Sequence, residues 1–315
     1  MFKLYVNDLY KKRYDILIPY IGIHEPDPYD PINGRYNKWF EIGKNYLEIV
    51  SNIDDAHLVL YNADVHHLDV ELIAEAKKHN KKLLVIFNSD FDNYLCVENS
   101  IILRTSFYSD SRKPNEFAIP AFIDDIVEKY FDGVLPYKNK NDVPIISFCG
   151  YDNSPVRKQA VDALLQSRIV KPNFIIRSSF WGGTTNGPLM KPEAIQVRQE
   201  FVENLNQGDY ALCARGGGNF SYRLYEAMAM GKIPLFVNSR CVLPFENQIN
   251  WKDLCVWVEE KEISHIDQIV LRHHNQISNE EFINKQKKCR QIWEDYLSPH
   301  GFYSKIFTSL GIATP

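Results

Sequence analysis

Two arginines and a run of three glycines stand close together between residues 215 and 223, and their chemistry suits a phosphate. The stretch reads Arg215, Gly216, Gly217, Gly218, Asn219, Phe220, Ser221, Tyr222, Arg223. Glycine takes backbone angles that other residues resist, so a loop built from it can approach a ligand closely. Such a loop feeding a helix N-terminus gathers unpaired N–H groups and the positive end of the helix dipole. Fork-shaped guanidinium donors on either side complete a site for a phosphate or diphosphate. A tight turn with surface arginines is the plainer alternative. It explains the glycines but not their agreement with the arginines, a capping serine and a following strand.

The flanking sequence supplies the elements that such a loop needs. Residues 210–214 form a short apolar run that reads as a strand, and Ser221 suits an N-cap. Leu224, Ala227 and Met228 line one helical face, Gly231 stands where a C′ glycine would end that helix, and residues 233–237 are apolar again. Strand and helix patterns alternate through the rest of the chain. In the first half, the N-terminus itself and residues 16–21, 56–61, 83–87 and 101–104 read as strands, with helices expected over 39–50, 72–79 and 120–130. In the second half, strands are expected over 144–150, 173–177 and 256–258. Helices are expected from Ser154-Pro155 and over 192–205, 263–271 and 279–296. The polar, turn-prone residues 138–143 read as an interdomain linker.

This alternation predicts an α/β chain of two facing, doubly wound, Rossmann-like domains over 1–137 and 144–290, with a helix or tail over 291–315 that packs back on the first. Ligands of such sheets bind at the carboxyl ends of the strands, which puts the functional site in the cleft between the domains.

Bulk properties narrow the function. At 315 residues the chain is too long for one small core, and 45% hydrophobic with 24% charged residues is ordinary for a soluble protein. A formal charge of −4 argues against a general nucleic-acid binder. Aromatic residues make up 13%, enough to offer stacking surfaces for sugars or bases beyond the core. Six cysteines are scattered without a Cys-x-x-Cys pair, which suggests reduced, buried thiols and neither a disulfide frame nor a zinc site. Neither a secretory signal nor a membrane-spanning apolar run is evident, which favours the cytoplasm. A dinucleotide-binding enzyme is disfavoured, because no Gly-x-Gly-x-x-Gly follows the first strand.

Residues 213–237 closely resemble the C-terminal signature of exostosin-like glycosyltransferases. There a Cys-Pro-Arg-Gly stretch leads into Ser-x-Arg-Leu-x-Glu-Ala and then Gly-x-Ile-Pro-Val. Here the matching residues are Cys213, Arg215, Gly216, Ser221, Arg223, Leu224, Glu226, Ala227, Gly231, Ile233 and Pro234. Residues 112–121, ending Ala118-Ile-Pro-Ala, are similar to a family segment ending Ala-Ile-Pro. Phe148-Cys-Gly150 followed by Arg157 is similar to its Phe-x-Gly…Arg element, and Leu243-Pro-Phe with Ile249-Asn-Trp251 matches the pattern after the signature. The likeness covers the chain from about residue 83 onward. It departs at Ala214, where the family has proline, and at Gly217-Gly-Asn219, which replaces an acidic or bulkier stretch.

The resemblance implies a GT-B fold, with a nucleotide-sugar donor, expected to be a UDP-sugar, on the C-terminal domain and a saccharide acceptor on the N-terminal one. It implies inverting transfer without an obligatory metal or other cofactor. The lack of an evident membrane anchor then points to a bacterial or viral enzyme. Arg157, Arg215, the amides of Gly216, Gly217, Gly218 and Ser221, and the Ser221 hydroxyl are candidates to stabilise the leaving diphosphate. Arg223 could join them or turn outward at the second position of its helix. Glu226 lies about 200° round the helix from the core-facing side, and the resemblance assigns it to the ribose hydroxyls.

The base that takes the acceptor's proton is open. Asp90, at the carboxyl end of the 83–87 strand, leads, with His24, Glu25, Asp27 and Asp30 competing. Asp90-Phe-Asp92 also resembles the metal-binding Asp-x-Asp of GT-A transferases, a short match set against a long one. His66-His67 and His273-His274 read as solvated residues without useful partners.

Overall fold

Apolar runs long enough for a strand but too short for a helix recur along the chain, and each becomes one strand of two parallel sheets. A computed structural model describes residues 1–7, 35–61, 69–93, 95–180 and 192–312. The strand expected over 16–21, the base candidates His24, Glu25, Asp27 and Asp30, and His66-His67 lie outside them. The first sheet joins β1 (Phe2–Tyr5), β2 (Leu47–Val50), β3 (Leu58–Tyr61), β4 (Lys82–Phe87), β5 (Ser100–Arg104) and β6 (Glu116–Ala118) in the order β2-β1-β3-β4-β5-β6. Helices α1 (Arg35–Gly43) and α2 (Val70–Lys78) belong to this half, and α3 (Ile126–Tyr130) leads out of it. The second sheet joins β7 (Ile145–Tyr151), β8 (Lys171–Arg177), β9 (Tyr210–Cys213), β10 (Ile233–Asn238) and β11 (Val256–Glu259) in the order β11-β10-β9-β7-β8. Around it lie α4 (Pro155–Leu165), α5 (Pro192–Gln207), α6 (Tyr222–Ala229), α7 (Trp251–Leu254), α8 (Ile266–Gln276) and α9 (Asn279–Ile292), and α10 (Pro299–Ser309) closes the described chain.

Every strand pair in both sheets is parallel. Parallel sheets need cover on both faces, and the second sheet shows why its strands are apolar throughout. Ala211, Cys213 and Phe236 face one core cluster, while Tyr210, Leu212, Leu235 and Val237 face another. The fold is therefore α/β with two Rossmann-like domains, the GT-B arrangement.

The C-terminal chain returns to where it began. Trp293 and Leu297 belong to the second domain's core, Ser298 caps α10, and Phe302, Tyr303, Ile306 and Phe307 then enter the first domain's core. Phe307 stacks on Phe2 with ring centroids 3.7 Å apart. Residues 138–141 are tied to the second domain. Asn141 donates to Asp209 at 2.8 Å, and Lys140 Nζ donates to the carbonyls of His274 and Ile277.

Some expectations fail locally. The helix read over 39–50 stops at Gly43, and Leu47–Val50 pairs with β1 instead, because Phe40, Leu47 and Val50 fit either period over so short a run. The helix read over 120–130 starts only at Ile126, where Asp125 accepts from the Val127 and Glu128 amides. A 3-10 segment, Glu260–His265, takes the first turn of the helix read over 263–271. His273 and His274 are not solvated. The Tyr210 hydroxyl lies between them, His274 is buried against the Asn141 carbonyl, and burial with Lys285 nearby lowers His273 to about 4. Cys149, Cys213, Cys255 and Cys289 are buried free thiols, Cys241 is half-buried and Cys96 is exposed. Among the described residues no helix is long and apolar enough to cross a membrane.

Two stability outcomes follow from this packing. Phe302→Ala should cost about 3–5 kcal/mol in urea unfolding, by opening a cavity where α10 enters the first core. Lys232 is 1% exposed, and burial, with Lys138 beside it, lowers its amine to about 7. An unfolded chain holds that proton up to about pH 10.4, so folding must shed it between pH 7 and 10. Wild-type stability should therefore rise relative to Lys232→Met across that window, as read from paired urea midpoints.

Candidate active site

The second sheet reverses its strand order between β7 and β9, so their carboxyl ends diverge and leave a crevice. Both ends supply chemistry to it. Ser154 caps α4 by accepting from the Arg157 amide, with Pro155 at the first helical turn. The same hydroxyl donates to the Arg215 carbonyl at 2.7 Å, which fastens the β7 end to the start of the glycine loop.

Arg157 spans that crevice. Its Nε and Nη2 donate to the Ala214 carbonyl at 3.3 and 2.9 Å, and Nη1 donates to Tyr151 O at 2.7 Å and Asn153 Oδ1 at 3.1 Å. Gly216 makes room for it: a Cβ there would lie 3.0 Å from Arg157 Nη2. Burial, reinforced by Arg223, lowers the Arg157 guanidinium to about 10.

Arg223 does not turn outward. Its guanidinium carbon lies 4.8 Å from the Phe148 ring centroid and 5.1 Å from that of Phe201. Its Nη2 donates to the Cys149 carbonyl, while Nε and Nη1 are buried without a hydrogen-bond partner among the described residues. Gly150 permits this, since a Cβ there would lie 3.1 Å from Nη2. Arg157 also lies over Phe148, at 5.9 Å. Two guanidiniums thus lie against one aromatic ring, held by carbonyls and an amide and, among the described residues, by no carboxylate. The other arginines nearby are matched: Arg177 with Glu200, Arg198 with Glu226 and Arg215 with Asp92.

Two details of the loop differ from expectation. Ser221 occupies the N-cap position of α6, but its side chain makes no capping bond. Glu226 is buried at 6% exposure, although the helical wheel pointed it away from packing, because α5 covers that flank. Its Oε1 accepts from Arg198 Nη1 at 2.9 Å, and Arg198 lies 4.5 Å over Phe201. Arg198 was not singled out from sequence, since a lone arginine on an amphipathic helix carries no local signal.

The first domain meets the loop directly. A Cβ on Gly217 would lie 2.8 Å from Asp90 Oδ2, and one on Gly218 would lie 2.8 Å from the Asp90 Cα. The loop's third glycine is therefore needed for close domain approach, because it meets backbone, whereas a Cβ at the second would displace only the end of the Asp90 side chain. Asp90 itself is exposed. The segment that carries it is fixed from below by Arg104, 1% exposed, which pairs with Glu116 at 2.7 Å and donates to the carbonyls of Phe91 and Asn93 at 2.9 Å each. Ser106 Oγ accepts from the Asn219 amide at 2.7 Å, and Asn219 Nδ2 donates to the Phe107 carbonyl at 3.0 Å. Asp92, the second carboxylate of the Asp-x-Asp, accepts from Arg215 Nη2 at 3.2 Å. Among the described residues no group of three His, Cys, Asp or Glu side chains is placed to hold a metal ion.

Comparison with known proteins finds a similarity over part of the chain. Residues 131–272, somewhat under half of the chain, match the Exostosin GT47 domain. A probable glucuronosyltransferase of Oryza sativa subsp. japonica is 33% identical over 94 residues, covering 30% of this chain and 22% of that protein. Exostosin-1 of Drosophila melanogaster is 30% identical over 116 residues, covering 36% of this chain and 14% of its own. These alignments span less than a quarter of either relative. Among solved structures, a glycosyltransferase from Rickettsia africae ESF-5 aligns with a TM-score of 0.49 at 12% identity, covering 98% of this chain and 97% of its own. The chain is similar to exostosins over this stretch, which holds Arg157, Arg215, the glycine loop, Arg223 and Glu226 but not Asp90.

Gly218→Ala tests the contact between the domains. The Asn219 amide, bonded to Ser106 Oγ, should then exchange with deuterium about tenfold or more faster, while β9 amides keep their protection.

Proposed function

We propose that this chain transfers a sugar from a nucleoside-diphosphate donor, a uridine diphosphate sugar, to a hydroxyl of a saccharide acceptor, with inversion and without an essential metal ion. The observation that carries this reading is the pair Arg157 and Arg223. Among the described residues, two fixed positive charges lie at a topological switch point with no carboxylate bonded to either, and Arg223 keeps two buried donors without a partner. A donor diphosphate brings two negative charges and acceptor oxygens to meet them. The exostosin match over the same residues supports the assignment.

In this reading the acceptor oxygen attacks the anomeric carbon as the bond from that carbon to the diphosphate oxygen breaks. Asp90 takes the acceptor's proton, and the diphosphate leaves with the bonding electrons. Arg157, Arg223, Arg215 and the amides of residues 216–221 stabilise the growing charge on the leaving group. Glu226 receives the ribose hydroxyls, and Arg198 holds its carboxylate in place. A cation is supplied at each charge by the chain itself, which removes the need for a divalent ion. The names of two relatives, a probable glucuronosyltransferase and a probable beta-1,4-xylosyltransferase, point to sugars of different charge, so the sugar is left to the assay.

A thermal-shift series with uridine, guanosine and cytidine diphosphates tests the nucleotide, since a ligand raises the melt according to its affinity. Uridine diphosphate should shift it most. A response to guanosine diphosphate alone would move the assignment to a fucosyltransferase-like GT-B enzyme, and binding without turnover on every acceptor would leave a non-catalytic module. Arg223→Ala should weaken nucleoside diphosphate binding by about 10- to 100-fold, the worth of one charge-assisted contact. Transfer should survive dialysis against chelator; loss restored by manganese would refute the metal-free part.

A further inference from the structure

Arg215 differs from Arg157 and Arg223 in what holds it. Its Nη1 donates to the Tyr108 hydroxyl, and Nη2 donates to Asp92 Oδ2 and to the Gly217 carbonyl, each at 3.2 Å. Both side-chain partners come from the other domain. The side chains of the ion pair are largely shielded, Arg215 at 15% and Asp92 at 26% exposure, so the contact is not a solvated surface pair.

Neither partner is loose. Asp92 lies between Phe91 and Asn93, whose carbonyls are both held by the buried Arg104. Tyr108 lies in a segment that is fastened to the second domain along its length. Before it, Ser106 and Phe107 bond to Asn219; after it, the Ser109 amide donates to the Arg240 carbonyl and Asp110 pairs with Arg240. Tyr108 itself bridges through its backbone to Cys241, and its ring lies 5.2 Å from the Arg240 guanidinium carbon.

We infer that Tyr108 and Asp92 are positioning residues for Arg215, so that the first domain aims the third guanidinium of the leaving-group site. The inference rests on the transferase reading above. Donor seated on the second domain alone would meet Arg157 and Arg223, but Arg215 would be directed at the diphosphate only with the domains docked. Leaving-group stabilisation is then completed on the same docking that brings Asp90 over the glycine loop, which protects donor from water before the acceptor side is assembled.

A double-mutant cycle tests this, with Tyr108→Phe as the main variant because it removes one hydroxyl and no charge. Tyr108→Phe and Asp92→Asn should each lower kcat about tenfold with donor KM within about twofold, the pattern of a contact that matters in the transition state. In an Arg215→Ala background neither should lower kcat by more than about twofold further, since both act through that arginine. Losses that persist undiminished without Arg215 would reveal a structural effect and overturn the inference, as would an unchanged kcat in Tyr108→Phe. Wild-type turnover reports separately on the transferase reading. Should it be absent, calorimetric affinity for uridine diphosphate is read through the same Tyr108→Phe and Arg215→Ala cycle. A shared, non-additive loss upholds the positioning role, and independent losses reject it.

Discussion

Two half-buried guanidiniums that meet no carboxylate among the described residues are the constraint around which the second domain is organised. Burying a fixed charge is costly unless something nearby answers it, and proteins usually answer with a carboxylate, as this one does at Arg177, Arg198 and Arg215. At Arg157 and Arg223 it uses, among the described residues, carbonyls, one amide oxygen and the rings of Phe148 and Phe201. Those contacts orient the forks without neutralising them. Gly150 and Gly216 lack side chains at the two points where a Cβ would crowd the guanidinium groups. Strand order, glycine placement and aromatic placement therefore converge on one region of positive charge, at a depth where a bound anion is poorly screened by water.

The first domain completes that region. Its contribution starts deep, at the Arg104–Glu116 pair, each partner 1–2% exposed. Replacing such a pair with apolar residues is often neutral or stabilising, so stability alone does not explain it. What the pair does here is hold two carbonyls of the loop that carries Asp90 and Asp92. From there the contacts run outward to Arg215 and the glycine loop. The return of α10 into the first core adds a second covalent tie between the domains, so their relative placement depends on both ends of the chain.

Much of this was legible in residue order because the informative features are local. The strand-loop-helix-strand unit around residues 210–237 announces itself through glycines, caps and apolar runs that act within a few residues. Most strands of both sheets are continuous apolar runs for the same reason. What escaped depends on distant partners. Leu47–Val50 is a strand because β1 lies beside it, and nothing in the run itself distinguishes that from a helical continuation. Glu226 turns out to be buried because α5 packs over it and brings Arg198, and Arg223 faces inward because Phe148 and Phe201 receive it. His273 becomes half-buried and His274 buried through Tyr210 and residue 141, which are far away in sequence. Periodicity gives a face to each helix, but which face meets which neighbour is a tertiary fact.

The central claim is that an anionic diphosphate belongs between Arg157 and Arg223 at the mouth of the β7–β9 crevice. A crystal structure of the protein with uridine diphosphate tests it most directly. The expected result is phosphate oxygens within hydrogen-bonding distance of Arg223 Nε or Nη1 and of the Arg157 guanidinium, with the loop amides closing the other side. Well-ordered nucleotide whose phosphates lie away from both arginines would contradict it.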